Sequence, residues 1–130
     1  MREVQHEALK PALQALLISP NAEVRQRIVS GEITATIREG ARDYRNGRVG
    51  IFCHLEPWAV MAVITDVKHC SIKEISGHEL AQAGYRSEAE VLADLKIPYP
   101  GINRDSMITF IKFEDVQGKS VDLMKQRRTT

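Results

Sequence analysis

The chain has 130 residues, of which 43% are hydrophobic and 27% are charged, so we expect one globular domain with a substantial core. The formal net charge is only +1, which excludes a strongly basic coat for nucleic acid but leaves a local basic patch open. No apolar run is long enough to cross a membrane, and the first residues carry acids and Pro11 rather than a cleavage signal. We therefore expect a cytoplasmic protein that has no membrane contact.

Four leucines at helical spacing predict that residues 1–20 form an N-terminal helical extension. They are Leu9, Leu13, Leu16 and Leu17. The next helix is short, since Asn21 is a good N-cap and Gly31 is a good C-terminal stop. We place the folded domain over residues 21–117 and a flexible polar tail over residues 118–130.

Between Gly31 and Gly40 the sequence alternates apolar and polar side chains, which predicts a strand over residues 33–38. One face is apolar, and the other carries two hydroxyls and a guanidinium. The polar face consists of Thr34, Thr36 and Arg38. Such a row can hold an anion or the polar edge of a heterocycle. A solvated edge strand has the same pattern, so both interpretations stay open.

Two further strands are predicted over residues 49–54 and 58–67, and the second is apolar enough to be buried on both faces. The cysteines Cys53 and Cys70 each adjoin a histidine. Adjacent residues of a strand point to opposite faces, so neither pair can converge on one metal ion. We expect buried, reduced cysteines, no metal site and no cofactor.

Three serines, each followed three residues later by a glutamate, predict a helical insertion after the third strand. The pairs are Ser71 with Glu74, Ser76 with Glu79, and Ser87 with Glu90. A last strand is predicted over residues 107–113. This order of elements predicts an α+β fold, a small mixed β-barrel or half-barrel with helices covering its openings.

Four segments, taken in order, resemble the ASCH domain family of PUA-like barrels over roughly residues 25–114. The segments are VSGEITATIR at residues 29–38, NGRVG at 46–50, ISGHELAQAGYRSEAEVL at 75–92, and YPG at 99–101, followed by a strand that ends in IKF at 111–113. The resemblance implies a cleft between the barrel and its helices that accepts RNA or a modified nucleoside.

Some small bacterial members of this family are amidohydrolases that remove the acetyl group from acetylated cytidine with a lysine, a threonine and a glutamate. The resemblance places Thr36 at the threonine, Ile33 at the lysine, and the glutamate near Gly84. Isoleucine can neither activate water nor stabilise an oxyanion. The chain is therefore predicted to bind RNA or a nucleotide-like ligand. Hydrolysis of acetylated cytidine or a related modified nucleoside, with Thr36 as the catalytic candidate, is the alternative.

Arg38 matches the family's arginine and is the leading candidate for a ligand contact, because a guanidinium can bind phosphate or carboxylate through two hydrogen bonds. An internal salt bridge to Glu39, Asp43 or Asp66 is the alternative for this side chain. In the following loop, arginine beside an aromatic residue suits stacked bases and phosphates. The residues predicted to bind RNA or a nucleotide-like ligand are Thr34, Thr36, Arg38, Arg42 and Tyr44.

Three other aromatic residues could lie at the edge of such a cleft. They are Trp58, Tyr85 and Tyr99. A lone tryptophan or tyrosine more often packs in the core, and packing is what we expect for all three.

Overall fold

A computed structural model describes residues 14–18, 21–53 and 57–117 of the chain. The strands are β1 (Gln14–Ile18), β2 (Ala35–Glu39), β3 (Gly47–Cys53), β4 (Trp58–Ser71) and β5 (Met107–Gln117). The helices are α1 (Ala22–Val29), α2 (Gly77–Gln82) and α3 (Glu88–Lys96), and a 3₁₀ turn, Ile72–Glu74, precedes α2.

The five strands form one sheet in the order β1-β3-β4-β5-β2, curled into a half-barrel. β1 runs parallel to β3, and every other neighbouring pair is antiparallel. The α+β half-barrel predicted from the sequence is therefore confirmed. The sheet leaves β1 and β2 as its two edges, which is what matters most for the candidate site.

The helical extension predicted for residues 1–20 is wrong over residues 14–18, which form strand β1. Its partner β3 pairs Gln14 with Val49 at one end, and hydrogen bonding along a neighbouring strand replaces the bonds of a helix. Leu16 is 1% exposed in the core whereas Leu17 is 55% exposed, as strand alternation requires. Residues 1–13, 19–20 and 118–130 lie outside the described residues, so the rest of the extension and the tail remain predictions.

The prediction that the third strand is buried on both faces is also wrong. In β4, Val60, Ala62 and Ile64 are buried, whereas the residues between them are only half-buried. The inward residues pack in the core, and the opposite face of this part of the sheet is only partly covered. β4 also extends to Ser71, beyond the predicted end, and its pairing with β5 is irregular between Ile64 and Asp66.

Two hydrophobic cores lie on opposite faces of β5. Ile111 and Phe113 belong to the first core, inside the half-barrel, whereas Ile108 and Phe110 belong to the second. The first core includes Leu16, Ile28, Ile33, Ile51 and Ile64. The second includes Ile37, Ile72, Leu80, Val91 and Ile102, so it attaches α2 and α3 to β2 and β5. Helices thus cover the sheet where the sequence predicts them.

The predicted helix boundaries are confirmed where hydrogen bonds can be followed. Asn21 Oδ1 accepts from the Glu23 N–H at 2.8 Å, and Gly31 follows α1 with φ +85°. Ser76 and Glu79 form a complete capping box. At the start of α3 only half of the capping box forms. The Ser87 side chain accepts from the Glu90 N–H, but the Glu90 carboxylate accepts from the Arg86 N–H at 2.7 Å rather than from the Ser87 N–H.

Cys53 and Cys70 are both buried and free, as predicted. Among residues 14–18, 21–53 and 57–117, no group of His, Cys, Asp and Glu side chains could hold a metal ion. Within the same ranges, no helix is long and apolar enough to cross a membrane.

Candidate ligand-binding site

A cavity of about 460 Å³ opens between the two edge strands of the half-barrel. That volume lies within the roughly 300–1,000 Å³ typical of small-molecule sites. β1 and β2 line it from two sides, and the loop over residues 40–46 and the segment after α3 complete it. The polar side chains are Arg38, Glu39, Arg42, Tyr44 and Tyr99, and the apolar wall includes Leu17, Leu95 and Pro98.

Arg38 is the partly buried cation of this cavity. Its Nε is shielded from solvent and has no hydrogen-bond partner among residues 14–18, 21–53 and 57–117. Within the described part of the chain, none of the carboxylates considered as salt-bridge partners pairs with it, and Glu39 instead lies 3.6 Å from Arg42 Nη2. Burial lowers the pKa of the Arg38 guanidinium, and the positive charge of Arg42 acts in the same direction. Arg38 Nε is therefore shielded from water, and no carboxylate of the described residues pairs with the guanidinium.

All three tyrosines of the chain lie close enough to Arg38 to act on its charge. Tyr44 donates its hydroxyl to the Ala15 carbonyl at 3.0 Å. Tyr85 lies outside the cavity lining and donates to the Asp94 carboxylate at 2.8 Å, and burial raises its pKa. Its hydroxyl therefore stays neutral and gives Arg38 no counter-charge.

Tyr99 differs from the other two tyrosines because its hydroxyl accepts a hydrogen bond. The donor is Arg42 Nη2, at 3.3 Å. Among the described residues no acceptor binds the Tyr99 hydroxyl hydrogen, so that hydrogen is available to a ligand in the cavity.

The loop over residues 40–46 has no regular secondary structure, yet its first residues are firmly held. Buried Thr109 accepts from the Arg42 N–H and donates to the Gly40 carbonyl, both at 2.7 Å. His69 Nε2 lies 2.8 Å from the Arg42 carbonyl, so this nitrogen carries the donated hydrogen. Thr109 lies opposite Arg38 on β5, and His69 lies opposite Thr109 on β4. The sheet therefore fixes the backbone from which the Arg42 side chain projects.

The far end of the loop is held by β1. The Gln14 amide donates to the Arg45 carbonyl at 2.8 Å, and its oxygen accepts from the Arg45 N–H at 2.7 Å. Tyr44 adds its bond to Ala15. Strands β4 and β5 at one end of the loop and β1 at the other thus hold this side of the cavity in place. Preorganisation of this kind lowers the entropic cost of binding.

The cavity brings together Arg38, Arg42 and Tyr44 but neither of the predicted threonines. Thr34 and Thr36 are partly buried, on the same side of the strand as Arg38. The Thr34 N–H donates to the Gln82 carbonyl at 2.9 Å, and its carbonyl accepts from the Phe113 N–H at 3.0 Å. Both backbone groups of Thr34 therefore serve the fold.

The two positions that the resemblance associates with a lysine and a glutamate are neighbours in space. A Cβ at Gly84 would lie 2.9 Å from Cδ1 and 3.2 Å from Cγ1 of Ile33, and Gly84 has φ +88°. Ile33 is only 4% exposed and belongs to the first core. The Ile33 side chain thus fills the space beside Gly84, and neither residue lines the cavity.

Six residues of the cavity lining are not among those that the sequence predicts to contact a ligand: Ala15, Leu17, Ile37, Glu39, Leu95 and Pro98. Leu17 falls in the segment predicted to be helical, and Leu95 packs on the second core as well as lining the cavity. Tyr99 was expected to pack but is 37% exposed at the cavity. Trp58 does pack on the first core, with the Arg25 guanidinium 5.8 Å from its ring centroid. Pro98 lies just after α3, and the local sequence does not show which edge of the sheet that segment faces.

Comparison with known proteins supports the fold. No family model matches the sequence, and no curated protein matches it. An ASCH domain from Lactobacillus crispatus superposes with a TM-score of 0.64 and 16% identity, over 88% of this chain and 84% of that one. Protein EF3133 from Enterococcus faecalis gives a TM-score of 0.62 and 15% identity, with 87% and 86% covered.

A variant of ZmASCH from Zymomonas mobilis gives a TM-score of 0.52 and 17% identity, over 78% of this chain and 68% of that one. The chain is therefore a small α+β domain of the half-barrel class. Its fold is the ASCH-domain fold, as the sequence resemblance predicted.

Proposed function

We propose that this domain binds RNA or a nucleotide-like ligand in the cavity between β1 and β2, with Arg38 as the residue that contacts the ligand's anionic group. The observation that carries the proposal is Arg38 at a preformed cavity, with an Nε that is shielded from solvent and has no hydrogen-bond partner among the described residues. A shielded polar group without a partner costs folding free energy, and such a group is often found where a ligand supplies the missing partner.

The other polar groups of the cavity support an anionic ligand. Arg42 adds a second cation, and the Tyr99 hydroxyl adds a hydrogen-bond donor. The carboxylate of Glu39 is the acidic group of the lining, and it lies beside Arg42. An anion that enters therefore meets donors on the side of Arg38.

The apolar wall suits a planar ring. Tyr44, Tyr99 and Pro98 offer flat surfaces next to Leu17 and Leu95. Stacking of a base on an aromatic side chain contributes about 1–3 kcal/mol and tolerates any base, because every base has a π-face. An anion joined to a flat heterocycle is the chemistry of a nucleotide.

Amide hydrolysis receives no comparable support. Ile33 and Gly84 occupy the positions at which the resemblance would require a lysine and a glutamate, and they pack against each other. A threonine without a base is a poor nucleophile. In this proposal Thr36 is a partly buried polar residue of β2 that does not line the cavity.

Amide NMR shifts recorded during titration with short single-stranded RNA and with nucleotides test the proposal. We expect residues 34–48 and the neighbourhood of Tyr99 to respond. Arg38→Met should weaken binding about ten- to a hundredfold, because hydrogen bonds to charged groups contribute about 1.5–3 kcal/mol. Methionine keeps the length and apolar character of the arginine stem.

Arg48→Met is the matched control, since it removes the same charge from an exposed side chain of β3 that does not line the cavity. It should change binding less than threefold. If both variants lost the same affinity, the effect would come from net charge alone, and the assignment of Arg38 as the ligand contact would be wrong. A titration in which none of these ligands shifts residues 34–48 would end the proposal.

A further inference from the structure

The chemistry of the cavity specifies more than a nucleotide-like ligand, because a strand of RNA and a single nucleotide make different demands on it. A strand must enter and leave its site, and it presents a phosphate at every step. A single nucleotide presents one ring and one anionic group, and it can be enclosed on several sides.

A hydrogen bond between two side chains joins two of the segments that line the cavity. Arg42 projects from the loop after β2, and Tyr99 lies in the segment after α3. The hydrogen bond from Arg42 Nη2 to the Tyr99 hydroxyl, at 3.3 Å, connects these two segments. Since the Arg42 backbone is held by Thr109 and His69, the bridge has a fixed base. Both residues line the cavity, so the bridge forms part of its wall.

The cations at the cavity are few. Arg38 has no ion pair among the described residues, and Arg42 already contacts Glu39 and Tyr99. One anionic group of a ligand can therefore pair with Arg38. It can also pair with Arg42 if it replaces Glu39 there. The formal net charge of +1 adds no general attraction for a polyanion.

Resting on the function proposed above, we propose that the cavity takes a single nucleotide, a ring-bearing monophosphate bound with its phosphate at Arg38, in preference to an RNA strand. The apolar wall of Leu17, Leu95, Pro98 and Tyr99 holds the ring. The volume of about 460 Å³ suits a ligand of that size.

Titration calorimetry on the full chain separates the contributions of ring and phosphate. The probes are the four ribonucleoside 5′-monophosphates, the four neutral nucleosides, inorganic phosphate and a mixed-sequence ribo-octanucleotide without terminal phosphates. We expect at least one monophosphate to bind ten times more tightly than its nucleoside and than inorganic phosphate. Arg38→Met should bring that monophosphate to the affinity of its nucleoside, whereas Arg48→Met should leave it within threefold of the unchanged protein.

The octanucleotide decides between the single nucleotide and the strand. We expect it to bind at least tenfold more weakly than the best monophosphate. For the monophosphate, a plot of the logarithm of the binding constant against the logarithm of the salt concentration should have a slope no steeper than about −1. For a single strand, each phosphate neutralised by the protein adds about −0.7 to this slope, so a strand held at four phosphates gives about −3.

Each outcome bears on a separate claim. Tighter binding of the octanucleotide with a steep salt slope, lost in Arg38→Met, would overturn the single-nucleotide proposal and leave the proposed function standing. Inorganic phosphate binding as tightly as every monophosphate would also overturn it, because the ring would then contribute nothing. Binding of neither the octanucleotide nor any monophosphate would overturn both.

Discussion

Two sites at opposite ends of one short segment have opposite characters. At its start, Ile33 packs directly on the backbone of Gly84 and is 4% exposed. Near its end, Arg38 borders an open cavity, and its shielded Nε has no hydrogen-bond partner in the described part of the chain. The first site is filled with hydrocarbon, and the second has a cation and space. Only the second has the features of a ligand-binding site.

The contrast shows that a shared fold does not imply a shared reaction. Ile33 and Gly84 lie next to each other, but neither has a side chain that could act as an acid, a base or a nucleophile. Fold alone does not carry a reaction, since function depends on the groups in the site. The Arg38 cavity has an unpaired functional group, and that is why the proposed function rests on it.

The largest effect is expected from placing a charge in the closed site. Ile33→Lys should lower the free energy of unfolding by roughly 3 kcal/mol or more, because the ammonium would be buried in the first core without a partner. The control Ile33→Leu keeps the volume and should cost less than about 1.5 kcal/mol. Urea denaturation measures both. A lysine variant as stable as the leucine variant would show that the site is open.

A smaller effect is expected at Gly84. Gly84→Ala should cost about 1–3 kcal/mol, because alanine is strained at φ +88° and its Cβ would meet Ile33 Cδ1 at 2.9 Å. The control is Gly77→Ala at the start of α2, where an added Cβ meets nothing within 4 Å. That control should be neutral or slightly stabilising. Equal thermal shifts in the two alanine variants would contradict a tight Ile33–Gly84 contact.

The smallest effect is expected at an ordinary ion pair, which shows how a matched cation differs from Arg38. Lys68 Nζ lies 2.7 Å from Glu79 Oε2, and this hydrogen bond raises the pKa of Lys68, whereas burial lowers that of Arg38. Glu79→Gln should cost about 0.5–1 kcal/mol, since the pair is partly exposed. Glutamine can still accept from the Ser76 N–H, so the helix cap persists.

The pH dependence of this pair follows from the direction of both shifts. Burial acts to raise the pKa of Glu79, but the hydrogen bonds from Lys68 and Ser76 outweigh it and lower the pKa below the usual 4.5. The stabilisation by Glu79 is therefore complete above pH 4.5 and is lost as the pH falls through its lower folded pKa. The contribution of Lys68 is complete below pH 10.5 and is lost as the pH rises through its raised value. A Glu79→Gln difference that persists unchanged at pH 2 would contradict this pairing.

Much of the fold could be predicted from local patterns. The alternation around Arg38 and the glycine after α1 identified β2 and the end of α1, because those signals act over a few residues. The helix prediction around Leu16 and Leu17 is wrong because two adjacent leucines suit either structure. They can extend the apolar stripe of a helix, or they can lie on opposite faces of a strand, one in the core and one at the cavity. Pairing with β3, far along the chain, decided between them.

The candidate site was predictable only in part for the same reason. Arg38, Arg42 and Tyr44 are close in sequence, so one motif indicated all three. Leu17 and Tyr99 reach the cavity from distant segments, through the closing of the half-barrel and the exit from α3. Whether a carboxylate pairs with Arg38 depends on how the chain folds, and among the described residues Glu39 contacts Arg42 instead.

The stability of Arg38→Met without ligand tests the central claim most directly, since it does not depend on the ligand's identity. An unpaired buried polar group costs about 1–3 kcal/mol, so a residue kept for binding should be dispensable to the fold. We predict that the free energy of unfolding of Arg38→Met, from urea denaturation, equals or exceeds that of the unchanged protein, with Arg48→Met within about 0.5 kcal/mol of it. A loss of more than about 1 kcal/mol in Arg38→Met alone would identify Arg38 as a structural residue and contradict the account.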